Sequence, residues 1–169
     1  MNGFQSRLTA GGLNRGVRPG LALAVLPTLL LLSACDRGLT EPGDGPQPVE
    51  LELVDRTNGE LLAYVHGDGP SAHWHGSLPV IAPGDELEVN AVFLDVDGLQ
   101  IELTGEHSVG AELTSGSPQG VVQVFPHGDH VDILAVGEGT VQIIFHFQRN
   151  GEAQWSTPPV ALTVVVQDP

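Results

Sequence analysis

The chain has 169 residues, a formal charge of −15 and no lysine. Residues 1–34 contain no acidic side chain, so beyond them three arginines stand against all 21 acidic residues, a formal charge of −18 on the remainder. Such a surface repels phosphate backbones and anionic headgroups; no nucleic-acid partner is expected, and cations are the natural small partners.

In chain order, the first 20 residues hold Arg7, Arg15 and Arg18, and residues 21–32 (LALAVLPTLLLL) follow as an almost wholly apolar run interrupted by Pro27. A basic segment leading into a short apolar one is the pattern of an export signal. The run is well short of the roughly 20 residues needed to span the hydrocarbon core. It ends in Leu32-Ser33-Ala34-Cys35, which resembles the bacterial lipobox. That resemblance implies removal of residues 1–34 and acylation of Cys35, so that lipid chains anchor the protein to a membrane of the cell envelope. Cys35 is the only cysteine and Met1 the only methionine, so the anchored domain carries neither a free thiol nor a thioether, and no disulfide is expected.

Residues 36–48 (DRGLTEPGDGPQP) have almost nothing to bury and, with Cys35, read as an acidic, flexible tether. From Val49 onward, short β-branched and apolar stretches alternate with Gly, Pro, Asn and Asp. Strands are predicted over 50–54, 61–66, 86–94, 100–103, 121–125, 131–136, 140–148 and 160–166. Asn58-Gly59, Asp97-Gly98 and Asn150-Gly151 are hairpin signals, and Pro83-Gly84-Asp85 suits a type II turn with Gly at its third position. No window carries a helical period with caps.

Alternation is clearest in two segments. Leu87, Val89, Ala91 and Phe93 share one face with Glu88 and Asn90 opposite, and Val141, Ile143, Phe145 and Phe147 repeat the pattern. One wet and one dry face per strand, with turns every 8 to 12 residues or so, predicts a single antiparallel β-sandwich of seven to eight strands over residues 49–169. The stretches PGDELEVNAVFLDVDG (83–98) and AVGEGTVQIIFHF (135–147), with Pro158-Pro159 before the last strand, resemble bacterial immunoglobulin-like domains. The resemblance implies an Ig-like sandwich and leaves function open.

All seven histidines lie beyond Cys35. His73-Trp74-His75 is an H-x-H pair, which in an extended segment would put two imidazoles on one face about 6.5–7 Å apart. His127-Gly128-Asp129-His130 sets two more around a glycine turn, and His66-Gly67-Asp68 repeats the His-Gly-Asp triplet. Should these segments meet at one end of the sandwich, His66, His73, His75, His127 and His130 would supply three or four nitrogens to a tetrahedral zinc ion. Asp68 and Asp129 would then form turns or orient a ligating ring from behind. Imidazole without thiolate suits Zn²⁺ and disfavours Cu(I), and proton competition would weaken binding below about pH 6. His107 and His146 are isolated and read as ordinary polar residues. Asp95-Val96-Asp97-Gly98 resembles part of a calcium loop but lacks the closing ligands, so a hairpin turn is the expectation there. Trp74 and Trp155 are expected to plug the core or cap an edge.

No nucleophile elbow, metalloprotease helix or phosphate-cradling glycine loop occurs in the sequence, so no enzymatic activity is expected. Two readings follow. One is an envelope lipoprotein that captures, buffers or delivers a divalent transition metal, most suitably zinc; the other is an Ig-like interaction or adhesion module that meets an envelope protein partner, with no metal role.

Overall fold

The computed structural model describes residues 45–67 and 69–166. The signal segment, Cys35, most of the tether and Asp68 lie outside the described residues. The last tether residues run against the domain, with Pro48 buried.

Eleven strands are described: β1 (Glu50–Asp55), β2 (Leu61–His66), β3 (His73–Gly76), β4 (Glu86–Leu94), β5 (Gln100–Ile101), β6 (His107–Leu113), β7 (Val122–Pro126), β8 (His130–Ala135), β9 (Gly139–Arg149), β10 (Glu152–Ser156) and β11 (Val160–Val164). They form two antiparallel sheets. The first runs β3-β2-β1-β4-β8-β7, with β5 paired to the end of β4. In the second, β9 is central: β6 lies along one edge, and β10 and β11 follow one another along the other.

The connectivity defines the class. Strands β4-β8-β7 facing β6-β9-β11 reproduce the B-E-D and C-F-G arrangement of immunoglobulin-like sandwiches. A short segment at Ile81 closes the second sheet by pairing parallel to β11, through Ile81 N to Thr163 O (3.2 Å) and Val165 N to Ile81 O (3.0 Å). The protein is therefore an Ig-like β-sandwich, to which the meander β1-β2-β3 adds three strands beside β4.

The expected alternation is what builds the core. Leu87, Val89, Ala91 and Phe93 point inward from β4, and Val141, Ile143, Phe145 and Phe147 from β9, each 6% exposed or less. Full burial of such a side chain is worth about 1.5–3 kcal/mol. Phe93 meets Phe147 edge to face at 5.2 Å, and Trp155 caps the pair 6.0 Å from Phe93. The meander is joined to this core by its own inward face. Leu51, Leu53 and Val65 are fully buried, and Trp74 crosses to the second sheet, where its ring lies 6.4 Å from Phe145 and its Nε1–H donates to Pro158 O at 2.8 Å. Between β10 and β11 the chain bulges at Thr157, whose N–H donates to Phe145 O and whose hydroxyl oxygen accepts from Phe145 N.

Three strands were not among those predicted. β3 is only four residues long, β10 is largely exposed and polar, and β6 contains Gly110. A Cβ at Gly110 would come within 2.3 Å of the Gln148 amide, so at this position the Gln148 side chain occupies the space that the missing Cβ leaves. The sandwich is accordingly wider than seven to eight strands. Turns also differ in detail. Asn150 and Gly151 both take positive φ, as a tight hairpin needs, and Gly84 (φ +95°) completes the expected turn after Pro83. At Asn58-Gly59 only Gly59 is left-handed, because Asp55 accepts from Thr57 N and draws the connection out over residues 56–59. Asp95 behaves likewise: its carboxylate accepts from the backbones of Asp97 and Leu99, which makes 95–98 a capped hairpin turn, as expected.

Candidate metal centre

The β2–β3 hairpin sets three imidazoles side by side. Cross-strand register pairs His66 with His73 and Tyr64 with His75, so these four side chains share one face, while Val65 and its partner Trp74 point to the core. The shared face is the outer one, with His66 and His73 exposed and His75 half-buried beneath Tyr64. One nitrogen from each lies within 4.8 Å of the other two. His66 Nε2 and His75 Nε2 are 3.0 Å apart, and their rings are stacked with centroids 5.0 Å apart. The His73 ring meets both at 4.7–4.8 Å.

Two neighbours fix this arrangement. His73 Nδ1 lies 3.0 Å from Ser71 O, and because a carbonyl can only accept, Nδ1 carries the proton and Nε2 keeps its lone pair. Tyr64 stacks on His75 at 4.7 Å with 12° between the planes. Tyr64 was legible in principle, two residues before His66 on the same strand face. The Ser71 carbonyl was not, since nothing in a sequence states where a loop turns its backbone.

His127 and His130 form a separate group. His130 pairs with Asn90 on β4, three strand spacings from β2 and four residues further along the strands than the His66 level, so about 14 Å sideways and about 13 Å lengthwise. The two segments therefore do not share a site. The His127 and His130 rings stack at 5.1 Å around Asp132, whose carboxylate lies 3.0 Å from His127 Nε2, and His130 Nδ1 donates to Asp129 at 2.8 Å. Asp129 thus partners His130 directly. Of the isolated histidines, His107 stacks on Phe147 at 5.2 Å, and His146 bonds Ser156 (2.7 Å) with Glu112 at 3.5 Å. An open depression of about 330 Å³ is lined by residues of β4, β5 and the segment after it and by Asp129, and by none of the three histidines.

The hydrogen bond from His130 holds the Asp129 carboxyl below its ordinary value, against the opposing effect of partial burial. A carboxylate lowered in the folded state stabilises above its unfolded pKa, near 3.9, and that contribution is lost as pH falls through the lower folded value. Asp129 is 63% exposed, so screening keeps the contribution below about 1 kcal/mol. Asp129→Asn is expected to flatten the acid side of the stability curve below about pH 4 by that small amount and to leave neutral-pH stability marginally lower, as read from urea unfolding at stepped pH. An acid limb identical in both proteins would contradict this. Glu106 is lowered in the same direction, chiefly by its hydrogen bond with Arg149, 3.1 Å away.

No family model and no curated protein matches the chain. Among solved structures it is similar to domains 4 and 5 of the S-layer protein SbsC, with 12% identity and a TM-score of 0.39 over 62% of this chain and 65% of that one. A structure of SbsC domains 4–9 gives 11% identity and a TM-score of 0.42 over 70% of this chain and 22% of the other. The Escherichia coli adhesin FdeC gives 21% identity and a TM-score of 0.37 over 73% of this chain and 42% of that one. The chain thus spans less than two thirds of each, and its Ig-like class rests on its own strand order.

Proposed function

We propose that this chain is a non-catalytic binding module of the bacterial cell envelope, an Ig-like interaction or adhesion domain held to a membrane by lipid on Cys35 and spaced from it by the acidic tether. The observation that carries the reading is the β1-β2-β3 meander. It extends a sandwich that already has its Ig-like strands, and it ends in β3, a strand that among the described residues has a partner on one side only. A strand edge of this kind accepts a further strand from another protein through main-chain hydrogen bonds. Its four-residue length limits indiscriminate pairing.

Two measurements test it. The anchor predicts palmitate labelling and membrane fractionation that both disappear in Cys35→Ala; a substituted protein that stays with the membrane would refute the anchor. The binding role predicts that beads coated with the chain from Asp36 onward attach to envelope fractions, in the presence of chelator, more than beads carrying an unrelated β-sandwich of equal charge. Equal attachment would refute it.

A second reading, capture, buffering or delivery of a divalent transition metal, is favoured by the convergence of His66, His73 and His75. It concerns the solvent face of the same meander, whereas the interaction reading concerns its edge.

A further inference from the structure

Resting on that second reading, the geometry points to one specific site: we infer that His66, His73 and His75 together bind a single zinc-class divalent ion that clasps edge strand β3 to β2 and keeps one coordination position facing outward.

Distance comes first. Zinc–nitrogen bonds of about 2.0–2.1 Å at tetrahedral angles put ligand nitrogens about 3.3 Å apart. His66 Nε2 and His75 Nε2 are already 3.0 Å apart, and the widest spacing among the three ligand atoms is 4.8 Å. Outward-facing imidazoles on short side chains can close that remainder by small χ rotations, without moving the strands.

The tautomer of one ligand is also set, while the Nε2 proton shared between His66 and His75 is what the ion replaces. A ligating histidine commonly donates its other ring N–H to a carbonyl or carboxylate, which fixes the tautomer and aims the lone pair. His73 makes this contact with Ser71 O, leaving Nε2 as its donor atom. His75 is held in plane by Tyr64, a positioning residue that does not itself supply a ligand.

The donor set selects the ion. Three nitrogens without a thiolate suit zinc, with Ni²⁺ and Cu²⁺ as less selective competitors, while Ca²⁺ and Mg²⁺ demand oxygen. Glu50, the cross-strand partner of His66 on β1, puts a carboxylate on the same outer face and adds to the negative field that draws cations in. Because all three ligands come from one sheet face, the fourth position points away from the protein, toward water or a donor from another molecule.

The clasp follows from the topology. His66 ends β2 and His73 begins β3, so one ion bound to both ties the end of one strand to the start of the next. Filling the site therefore holds β3, the strand whose edge the interaction reading uses.

The experiment is calorimetric titration of the full chain, purified in detergent and stripped with EDTA, with zinc chloride, calcium chloride and magnesium chloride in turn. One equivalent of zinc and no heat from calcium or magnesium are expected. In His73→Ala, His75→Ala the affinity falls by more than the roughly 10- to 100-fold that outer partners of a ligand command. Unchanged circular dichroism checks the fold, and His127→Ala, His130→Ala retains the wild-type isotherm. Zinc also slows exchange of the backbone amides at positions 73 and 75, which face β2, in the wild type only. No zinc heat from the wild type would overturn both the site and the metal reading. One equivalent that survives loss of His73 and His75 but vanishes with His127 and His130 would overturn this site and leave the metal reading standing. Zinc binding that leaves β3 exchange unaltered would overturn the clasp.

Discussion

Phe145→Ala is expected to cost about 3–5 kcal/mol, the range for emptying a fully buried phenylalanine site. Phe145 has no exposed surface and sits midway along β9, the central strand of the second sheet. Two neighbours depend on it. Its backbone N–H and C=O are both engaged by Thr157, so the chain there is held in place and cannot easily collapse into the cavity. Its ring is also the contact by which Trp74, and with it the meander, meets the second sheet. Against a total stability of roughly 5–15 kcal/mol for a domain of this kind, the loss is a large fraction. Urea unfolding checks it, with the midpoint falling and the slope unchanged. A loss below about 1 kcal/mol would mean that the site relaxes, contrary to the double tether at Thr157. Trp74 fluorescence should shift in the folded variant, because the indole loses the ring it packs against while its bond to Pro158 O remains.

Gly76→Ala is expected to destabilise the protein by about 1–3 kcal/mol for the left-handed backbone alone, and by more once sterics are included. Gly76 follows His75 at the end of β3 with φ +77°, and an added Cβ would lie 2.5 Å from Leu62 O on the neighbouring strand. The obstacle is backbone, so the strands must separate. Gly59 supplies the control: its φ is +75° and its Cβ would meet nothing within 4 Å. Gly59→Ala therefore carries the conformational cost without the clash, and the difference between the two variants measures the close approach of β3 to β2. Hydrogen exchange at the His73 and His75 amides, which face β2, should accelerate in Gly76→Ala and not in Gly59→Ala. Equal stability and exchange in the two variants would remove the close approach as an explanation. The zinc affinity inferred above should fall only in Gly76→Ala, since only that change displaces His75 from His66.

How much of this was legible from residues follows the period of the side chains. Alternation at Leu87 to Phe93 and at Val141 to Phe147 announces one dry face per strand, and burial bears it out residue by residue. Where alternation is weak, strands go unseen: β6 is interrupted by Gly110, β10 turns only Trp155 inward, and β3 is too short to show a period. Glycine turns were readable when the geometry was local, as at Asn150-Gly151. They were misjudged when a neighbouring carboxylate took over the backbone, as Asp55 does before Asn58.

The three-histidine face divides in the same way. That His73 and His75 share a face is a property of any strand, and it needs only the sequence. That His66 joins them, while His127 and His130 gather instead around Asp132, depends on β3 folding back onto β2 and on two further strands, β1 and β4, standing between β2 and β8. By itself the sequence determined an all-β chain with two clear core strands, a strongly acidic surface and an imidazole-only donor set, because composition and period-two alternation are local quantities. Only the tertiary structure decided which imidazoles meet, because strand order and register are set by the whole core at once and no short segment encodes them.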